Sequence, residues 1–206
     1  MIGTDWAHEV KLLISSNCPA IVDAINPNID QPTLSLCEQY HGILVFSSSA
    51  FLEPEELGDI LADYIDGGGG VVIAAIASDS DNHGVGGRYI RDEYLPLIKG
   101  DRSYDSRHTL GKRLMPDHPI LKNIHAFDGG PQSWRVKSTI SPNSKLIAEW
   151  EDGVPLVAEK VIRDRNCSVA LNMWPPSRSI SKDGWETFTD GDKFIINSLM
   201  YVANTH

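Results

Sequence analysis

The fold is decided by the stretch DYIDGGGGVVIAAIA, residues Asp63–Ala77. It predicts the end of a helix, then a hinge of four glycines, which readily take positive φ, and then an apolar strand. The strand, residues 71–77, has no alternating polar positions, so both of its faces should be covered, as in a parallel sheet between two layers of helices. Sheets of this kind bind their ligands at the carboxyl ends of the strands. The stretch therefore indicates both a fold class and the region where a site is expected.

The helix before the glycines is the best marked element of the sequence. Pro54 and two glutamates occupy its first turn, where a proline needs no N–H and negative charge meets the positive end of the helix dipole. Apolar residues then recur at the spacing of one buried helical face. They are Leu57, Ile60, Leu61, Tyr64 and Ile65. A helix over residues 54–66 is predicted, ending at Gly67.

The first part of the chain alternates helices and strands, a pattern typical of a doubly wound α/β fold. The expected elements are a helix over residues 6–14 with Thr4 as its N-cap, a short strand over 20–25, a helix over 33–40, a strand over 42–46, the helix over 54–66 and the strand over 71–77. Only Met1–Gly3 precede the first helix, where such a sheet normally begins with a strand. Either the first strand is a stub or the sequence is a piece of a longer protein, and we favour a fragment or excised domain with further domains beside it.

The second part of the chain is richer in strands. Residues 78–132 are polar and loop-rich, with one short helix expected over 89–97. The later elements are expected to be strands over 134–140, 145–150, 156–161 and 167–173, a hairpin turn at Asp152-Gly153, a loop over 174–190 and a last helix over 190–203. At 206 residues the chain fits a single domain, residues 1–206. The predicted fold class is α/β, a flavodoxin-like three-layer sandwich with a mostly parallel sheet and a β-rich C-terminal half.

Composition excludes several classes of protein. The formal net charge is −10 and basic residues do not cluster, so a nucleic-acid partner is not expected. No apolar run approaches the roughly 20 residues that cross a bilayer, and no secretion signal opens the chain, so we expect no membrane partner and a cytoplasmic protein. Cys18, Cys37 and Cys167 form no Cys-x-x-Cys pair, so neither a disulfide framework nor a zinc site is expected. No cofactor is predicted.

Six short segments, spread over nearly the whole chain, carry a family resemblance. They are YHGILV at 40–45, LADYIDGGGGVV at 61–72, HPIL at 118–121, AEW at 148–150, PLVA at 155–158 and ALNMWPPS at 170–177. In these segments the chain resembles the class I glutamine amidotransferase-like superfamily, and within it the trehalose-utilization (ThuA-like) branch. The resemblance implies the same flavodoxin-like fold. It says less about activity, because one fold serves many functions.

The resemblance also implies where an amidotransferase would hold its catalytic residues. Members of the superfamily carry a cysteine in a Gly-x-Cys-x-Gly-like turn after the strand, which exposes the nucleophile and aims backbone N–H groups at the oxyanion. Here residues 76–80 read Ile-Ala-Ser-Asp-Ser, with neither cysteine nor glycine. The later His-Pro-Glu-like motif corresponds to Trp174-Pro175-Pro176, and tryptophan cannot accept a proton from a thiol. The sequence therefore predicts that the triad is lost and that no glutamine amide is cleaved.

Other residues near the strand end are weaker candidates for catalysis. Ser78, where the sharp turn is expected, could act as a nucleophile with His83, His108 or His118 as its base, although a serine after a strand is more often a helix cap or a turn former. His118, between an aspartate and a proline, is better explained as a hydrogen-bonded turn histidine than as an acid or base. We therefore predict no catalytic residue, with Ser78, His83 and His118 as the candidates to test.

Ligand-binding candidates come from two loops. Asp79, Asp81 and His83 form an Asp-x-Asp-x-His run that could hold a divalent cation, but a solvated turn is the default for two ligand types in a loop, so no metal is predicted. The glycine-rich residues 84–88 lack the Lys-Ser/Thr of a phosphate loop. The residues expected to contact a ligand are Asp79, Arg88, Trp174 and Ser177. Trp174 is the strongest of them, because a flat indole with one N–H suits a sugar or a protein surface.

Three hypotheses about the function remain open at this point. The leading hypothesis is a non-catalytic amidotransferase-like domain that binds a protein or a carbohydrate within a larger assembly. The alternative is an enzyme of the trehalose-utilization type that acts on a sugar or related small molecule through Asp79, His83, Arg88 and the Trp174 loop. A purely structural module, which pairs an exposed sheet edge with a missing strand, is the third.

Overall fold

One seven-stranded sheet forms the centre of the computed structural model, which describes residues 1–163 and 166–204. The strands, in chain order, are β1 Ile2–Gly3, β2 Gly42–Phe46, β3 Gly70–Ala74, β4 Asp101–Ser103, β5 Leu110–Arg113, β6 Arg135–Lys137, β7 Lys145–Trp150, β8 Pro155–Arg163 and β9 Asn166–Leu171. Within the sheet the strand order is β1-β2-β3-β9-β8-β7-β5, whereas β4 and β6 form a separate antiparallel pair.

The sheet changes from parallel to antiparallel pairing at β9. The pairs β1–β2, β2–β3 and β3–β9 are parallel, and the pairs β9–β8, β8–β7 and β7–β5 are antiparallel. Only β8 and β5 therefore run against the common direction of the sheet. This arrangement confirms the mostly parallel sheet and the β-rich second half. The turn at Asp152-Gly153 joins β7 to β8 as a hairpin, with Gly153 at φ 87°.

Helices cover both faces of the sheet and give the three layers that the sequence predicts. They are α1 Ala7–Ser15, α2 Leu34–Cys37, α3 Pro54–Asp66, α4 Gly87–Arg91 and α5 Gly191–Ala203, with a short 3-10 helix at Pro119–Leu121. The core on one face joins α1 and α5 to Leu44, Val72 and Val169 of the sheet. The core on the other face joins α3 and α4 to Val71 and Ala170. None of the described helices is long and apolar enough to cross a membrane.

The junction between α3 and β3 follows the sequence closely. The helix occupies the predicted residues, and its apolar face is buried. Gly67 is its C-cap at a φ of −77°, which any residue adopts, and the positive φ falls on Gly68 at 113°. The strand is shorter than predicted, because the chain turns after Ala74.

The start of the chain differs from the prediction in two ways. The hydroxyl of Thr4 does not cap α1; it accepts hydrogen bonds from the N–H groups of Ser48 and Ser49, and Trp6, at φ 62°, precedes the helix instead. Residues 20–25 form no strand, since only Ile25 bridges to the sheet. A threonine oxygen so close to a helix start serves equally well to hold a neighbouring loop.

The strand at the edge of the sheet is the two-residue β1. Ile2 and Gly3 pair in parallel with Val45 and Phe46 of β2. The stub that the sequence allowed is therefore present. On its outer side Ile2 bridges to Ile25, so the expected strand over 20–25 is reduced to one contact.

The loop-rich middle of the chain holds more structure than predicted. The short helix is Gly87–Arg91 rather than 89–97, because Glu93 takes a φ of 58° and ends it. The strands β4 and β5 were not predicted, since neither alternates apolar with polar residues. The expected strand over 134–140 shortens to β6, which pairs with β4 outside the main sheet.

Candidate functional site

The loops after β2, β3 and β9 meet at one edge of the sheet, at the carboxyl ends of these strands. Ser47–Ser49 follow β2, Ala75–Asp79 follow β3, and Trp174 comes shortly after β9. The Ala75 N–H donates to the carbonyl oxygen of Leu171 at 3.1 Å and fixes this meeting point. The region in which the sequence predicts a site is thus built from three neighbouring strand ends.

The turn that ends β3 is made by Ile76. Its φ is 72°, in the left-handed region that a β-branched residue rarely adopts, and its side chain is buried. The Asp79 N–H donates to the Ile76 carbonyl oxygen at 2.8 Å and closes the turn. The expectation that the sharp turn falls at Ser78 is therefore wrong, because Ser78 lies two residues beyond it. No glycine marks Ile76, so the sequence carried no local signal for the turn.

The structure does not bring Ser78 together with a histidine. Ser78 is buried, and among the described residues no hydrogen bond joins its hydroxyl to His83, His108 or His118. The His83 ring contacts Asp81 on its own loop instead, with 2.9 Å between Nδ1 and the carboxylate. A serine hydroxyl needs a neighbouring base to become a strong nucleophile, and none of these three histidines bonds to Ser78.

The two aspartates of the Asp79-Asp81-His83 run both form ion pairs with the guanidinium of Arg102. Arg102 places Nε 2.6 Å from Asp79 Oδ2 and one Nη 2.6 Å from Asp81 Oδ2. Asp79 is almost fully buried, and its contact with Arg102 is a close ion pair without hydrogen-bond geometry. Within residues 1–163 and 166–204, no three side chains of His, Cys, Asp or Glu are grouped so that they could hold a metal ion.

The electrostatics of this cluster keep the Asp81 carboxylate charged. Although burial raises the pKa of Asp81, the hydrogen bonds from His83 and the charge of Arg102 lower it below its ordinary value. Lys99, which donates to the Val85 carbonyl oxygen at 3.1 Å, has its pKa lowered by burial against the opposing charge of Asp79. Lys99 and Arg102 were not among the predicted site residues, because they lie some 20 residues after Asp79, in a loop and in the short strand β4, and neither segment carries a motif.

Arg88 lies in α4, and its guanidinium forms ion pairs with neighbouring aspartates. Its guanidinium pairs with Asp63, with Asp66 at 2.9 Å and with Asp92 at 3.3 Å, and its backbone N–H donates to Asp59. These contacts, led by the hydrogen bond to Asp66, raise the pKa of Arg88. The structure therefore places this predicted ligand contact in the junction between α3 and α4.

Three aromatic side chains form a stack at the strand ends, which we call the aromatic stack: Tyr104, Trp134 and Trp174. The rings of Tyr104 and Trp134 are stacked, parallel within 18° and with centroids 4.4 Å apart, whereas the Trp134 and Trp174 rings are tilted by 48° with centroids 6.2 Å apart. The Trp174 N–H donates to Ser48 Oγ at 3.0 Å. Tyr104 is 51% exposed and forms the outer surface of the stack. Of these three residues, Trp174 was the one predicted to contact a ligand; Trp134 was expected to begin a strand, and Tyr104 was missed because it lies in a polar loop.

The other predicted residue of the last loop, Ser177, lies apart from the stack. It is fully buried, its Oγ is 2.7 Å from Ser179 Oγ, and its backbone bridges to Trp185. Two further tryptophans belong to the core, where their N–H groups donate to backbone oxygens: Trp150 to Asn172 and Trp185 to Pro175. Ser177 therefore supports the loop rather than reaching its surface.

His118 has the turn role that the sequence favours. Its Nδ1 accepts a hydrogen bond from the Ile120 N–H at 3.3 Å and caps the 3-10 helix. Its Nε2 faces Glu159 at 3.4 Å, and the Tyr201 hydroxyl donates to the same carboxylate at 2.6 Å. The hydrogen bond from His118 is the main reason why the pKa of Glu159 falls to about 2. This buried group is a structural link between β8, α5 and the 3-10 helix.

Comparisons with known proteins relate the chain by fold alone. No family model matches the sequence, and no curated protein matches it. A cytoplasmic protein from Salmonella typhimurium LT2 has a similar structure, with 16% identity, a TM-score of 0.68, and 97% of this chain and 87% of that chain covered. A Bacteroides uniformis protein described as ThuA-like matches at 15% identity and a TM-score of 0.65, covering 98% and 89%.

A third solved structure extends the comparison to a protein with a different description. It is a Thermoplasma acidophilum protein described as part of a GMP synthase, with 11% identity, a TM-score of 0.59, and coverage of 98% of this chain and 92% of that chain. The chain thus shares its fold with solved structures that include a protein described as ThuA-like and one described as part of a GMP synthase. Identities this low show the fold and carry no activity with them.

Proposed function

We propose that the chain is a non-catalytic amidotransferase-like domain that binds a protein partner at the edge of the sheet where the strand-end loops meet. The observation that carries the proposal is the position of Trp174. Its side chain comes from the loop after β9 and bonds to Ser48 after β2, and β3 lies between these two strands. An indole therefore spans the strand end at which an amidotransferase would receive its substrate.

The residue at the turn supports the same proposal. A nucleophile needs an oxygen, sulfur or nitrogen atom at the turn, and the side chain of Ile76 has only carbon. Ser78, the next hydroxyl along the chain, has no histidine base among the described residues. Ile76 has a left-handed φ, but its side chain carries no group that could react with a substrate.

A protein partner is favoured over a carbohydrate by the exposed apolar side chains at this edge. Trp6 follows β1, Leu52 lies in the loop after β2, and Tyr104 caps the aromatic stack; they are 41%, 69% and 51% exposed. Exposed aromatic and aliphatic groups around one edge are typical of protein interfaces. Leu52 offers a sugar neither a flat ring nor a hydrogen bond, so a carbohydrate is the secondary ligand.

Site-specific photo-crosslinking tests the proposal. A photoreactive phenylalanine analogue is placed at Leu52, at Tyr104 or, as the control, at Leu12, which is similarly exposed but lies on α1. In cells that express the chain, we expect one protein to be cross-linked from both edge positions and not from the control position. Equal products at all three positions, or none at the edge, would count against the proposal.

The enzyme alternative has less support from the arrangement of the site. Asp79 pairs with Arg102, His83 contacts Asp81, and Arg88 is bound between helices, so three of the proposed sugar contacts are already engaged within the fold. A thermal-shift screen with sugars and divalent cations distinguishes the two functions. A ligand at 100 times its Kd stabilises the folded state by about 2.7 kcal/mol, so a sugar that binds will raise Tm visibly. We expect no such rise at millimolar concentration.

A further inference from the structure

A cavity of about 590 Å³ lies at the end of the sheet opposite to the strand-end loops. Its walls are the last turns of α5, the amino end of β2 at Gly42 and the segment over residues 18–23, which forms no strand. Ligand cavities in proteins usually have volumes of about 300–1,000 Å³. The cavity is therefore large enough for a small organic molecule, and the residues described for it are all different from those of the strand-end site.

Most of the cavity wall is apolar. The helix α5 contributes Leu199, Met200 and Ala203. The segment over residues 18–23 contributes Cys18 and Val22. All five side chains are partly buried, so each keeps some apolar surface in contact with water. The apolar part of a ligand that covers this surface removes it from water, which favours binding.

The charge on the cavity wall is negative. Of the described residues that line the cavity, Asp23 is the one acid, and none is a lysine or an arginine. The Tyr40 hydroxyl donates to Asp23 Oδ2 at 3.1 Å, and Lys11 Nζ lies 3.3 Å from Oδ1. These hydrogen bonds, led by the one from Tyr40, lower the pKa of Asp23 below its ordinary value. The Asp23 carboxylate is therefore charged at neutral pH.

The Asp23 carboxylate has room for a further hydrogen-bond donor. Its two oxygens offer about four acceptor positions, of which Tyr40 and Lys11 use one each. The ion pair with Lys11 is long and exposed to water, and pairs of this kind contribute little to stability. The carboxyl end of α5, beside the same cavity, adds the partial negative charge of the helix dipole. A cation is thus favoured over an anion as the ligand.

We propose that this cavity binds a small organic ammonium ion, whose apolar part packs against α5 and whose N–H groups donate to Asp23. An ammonium group is specified because it donates charge-assisted hydrogen bonds to a carboxylate and carries the sign of charge that the cavity favours. The apolar part is specified by the side chains that form most of the wall. The cavity and the partner-binding surface lie at opposite ends of the sheet, so either proposal can fail without the other.

Three matched probes test the proposal by isothermal titration calorimetry with the intact chain. Phenylbutylamine, phenylbutanol and phenylbutyrate share an apolar part and carry a positive charge, no charge and a negative charge. We expect the amine to bind about fivefold more tightly than the alcohol, and the carboxylate to show no measurable binding. Asp23→Asn should remove the advantage of the amine, whereas Lys11→Gln should strengthen amine binding, because it removes a competing cation. Asp30→Asn is the matched control, since Asp30 is also exposed but does not line the cavity.

The thiol of Cys18 shows whether the amine occupies this cavity. Cys18 lines the cavity and is partly exposed, whereas Cys37 and Cys167 are 2% and 1% exposed. Methyl methanethiosulfonate, a small neutral thiol reagent, should therefore modify Cys18 first. We expect saturating phenylbutylamine to slow this modification several-fold, as measured by peptide mass spectrometry.

Three results would overturn the proposal. They are no binding of the amine at millimolar concentration, equal binding of the amine and the carboxylate, and an unchanged rate of Cys18 modification when the amine is bound. All three are measured on the unmodified chain, so they remain decisive if a variant does not fold. Near-UV circular dichroism shows whether each variant keeps its tertiary packing. Loss of the cross-linked partner in the earlier experiment would leave these results unaffected.

Discussion

The Trp174 N–H donates to Ser48 Oγ across 3.0 Å and joins the loop after β9 to the loop after β2. Both side chains are half-buried. The contact holds the indole over the end of β3, the strand between them. It is the structural feature on which a binding role at this edge depends.

A double-mutant cycle measures that bond. Trp174→Phe removes the donor and Ser48→Ala removes the acceptor, and we expect a coupling free energy of about 0.5–1.5 kcal/mol from urea unfolding. Trp185→Phe combined with Ser48→Ala is the control pair, because Trp185 donates to Pro175 instead. A coupling for Trp174 no larger than that of the control pair would show that the bond is not formed in solution.

Replacing Gly58, in the interior of α3, with alanine should lower the stability of the fold, although helix propensity alone would favour alanine there. A Cβ at this position would lie 2.0 Å from the Gly86 carbonyl oxygen, which is backbone and cannot move aside cheaply. We expect Gly58→Ala to destabilise the fold by about 1–3 kcal/mol, the usual cost of overpacking, rather than stabilise it by about 1 kcal/mol.

Gly67→Ala is the matched control for this prediction. It lies at the end of the same helix with an ordinary φ, and a Cβ there would meet its nearest neighbours at 3.4 Å. Its unfolding midpoint in urea should be unchanged or slightly raised. Equal destabilisation by both substitutions would mean that α3 and the loop at Gly86 are not packed as described.

Glu159 should make the fold more stable at neutral pH than in acid. The hydrogen bond from His118, with that from Tyr201, lowers its pKa from 4.5 to about 2, so its carboxylate is stabilised in the folded state. That stability is present above the unfolded pKa and is lost as pH falls through the folded value. We expect Glu159→Gln to cost on the order of 2–3 kcal/mol at pH 7.

The difference in unfolding free energy between the unmodified chain and the Glu159→Gln variant should therefore shrink as the pH falls from about 5 to about 2. Chemical unfolding at several pH values measures it. Glu149→Gln, on the neighbouring strand β7, is the control, and we expect its effect at pH 7 to be small. A Glu159→Gln effect that stays constant down to pH 2 would show that the carboxylate is not held by His118 in the folded state.

Arg88 is expected to stabilise the fold rather than bind a ligand. Arg88→Ala removes ion pairs with two carboxylates of α3 and one at the end of α4 itself, whereas Arg91→Ala, in the same helix, removes only longer pairs at 3.6 Å. We expect a larger fall in Tm for the Arg88 variant, and a smaller difference between the two in high salt. Identical melting curves would contradict the role assigned to Arg88.

Most of the fold could be predicted because its central elements carry local signals. Proline and glutamates mark the start of α3, glycines mark its end, and the apolar runs of β2 and β3 have no polar alternation. These signals depend on backbone conformation and burial over a few residues. Residues 20–25 look equally apolar in part, but they lack a neighbour to pair with beyond Ile2, so they form no strand.

The site was harder to predict because its contacts are long-range. Thr4 bonds the loop after β2, Arg102 closes on Asp79, and Tyr104 stacks on Trp134. The residues next to these side chains in the sequence do not indicate which partner each of them contacts. The turn at Ile76 was missed for a different reason: its left-handed φ is imposed by the packing of the strand ends, against the preference of the residue itself.

The central claim is that the strand-end site binds and does not catalyse, and ammonia release from glutamine tests it most directly. The chain and its Ser78→Ala variant are assayed together, beside an active glutaminase as the positive control. We predict no release above the blank for either protein. Turnover by the chain that disappears on Ser78→Ala would contradict the claim.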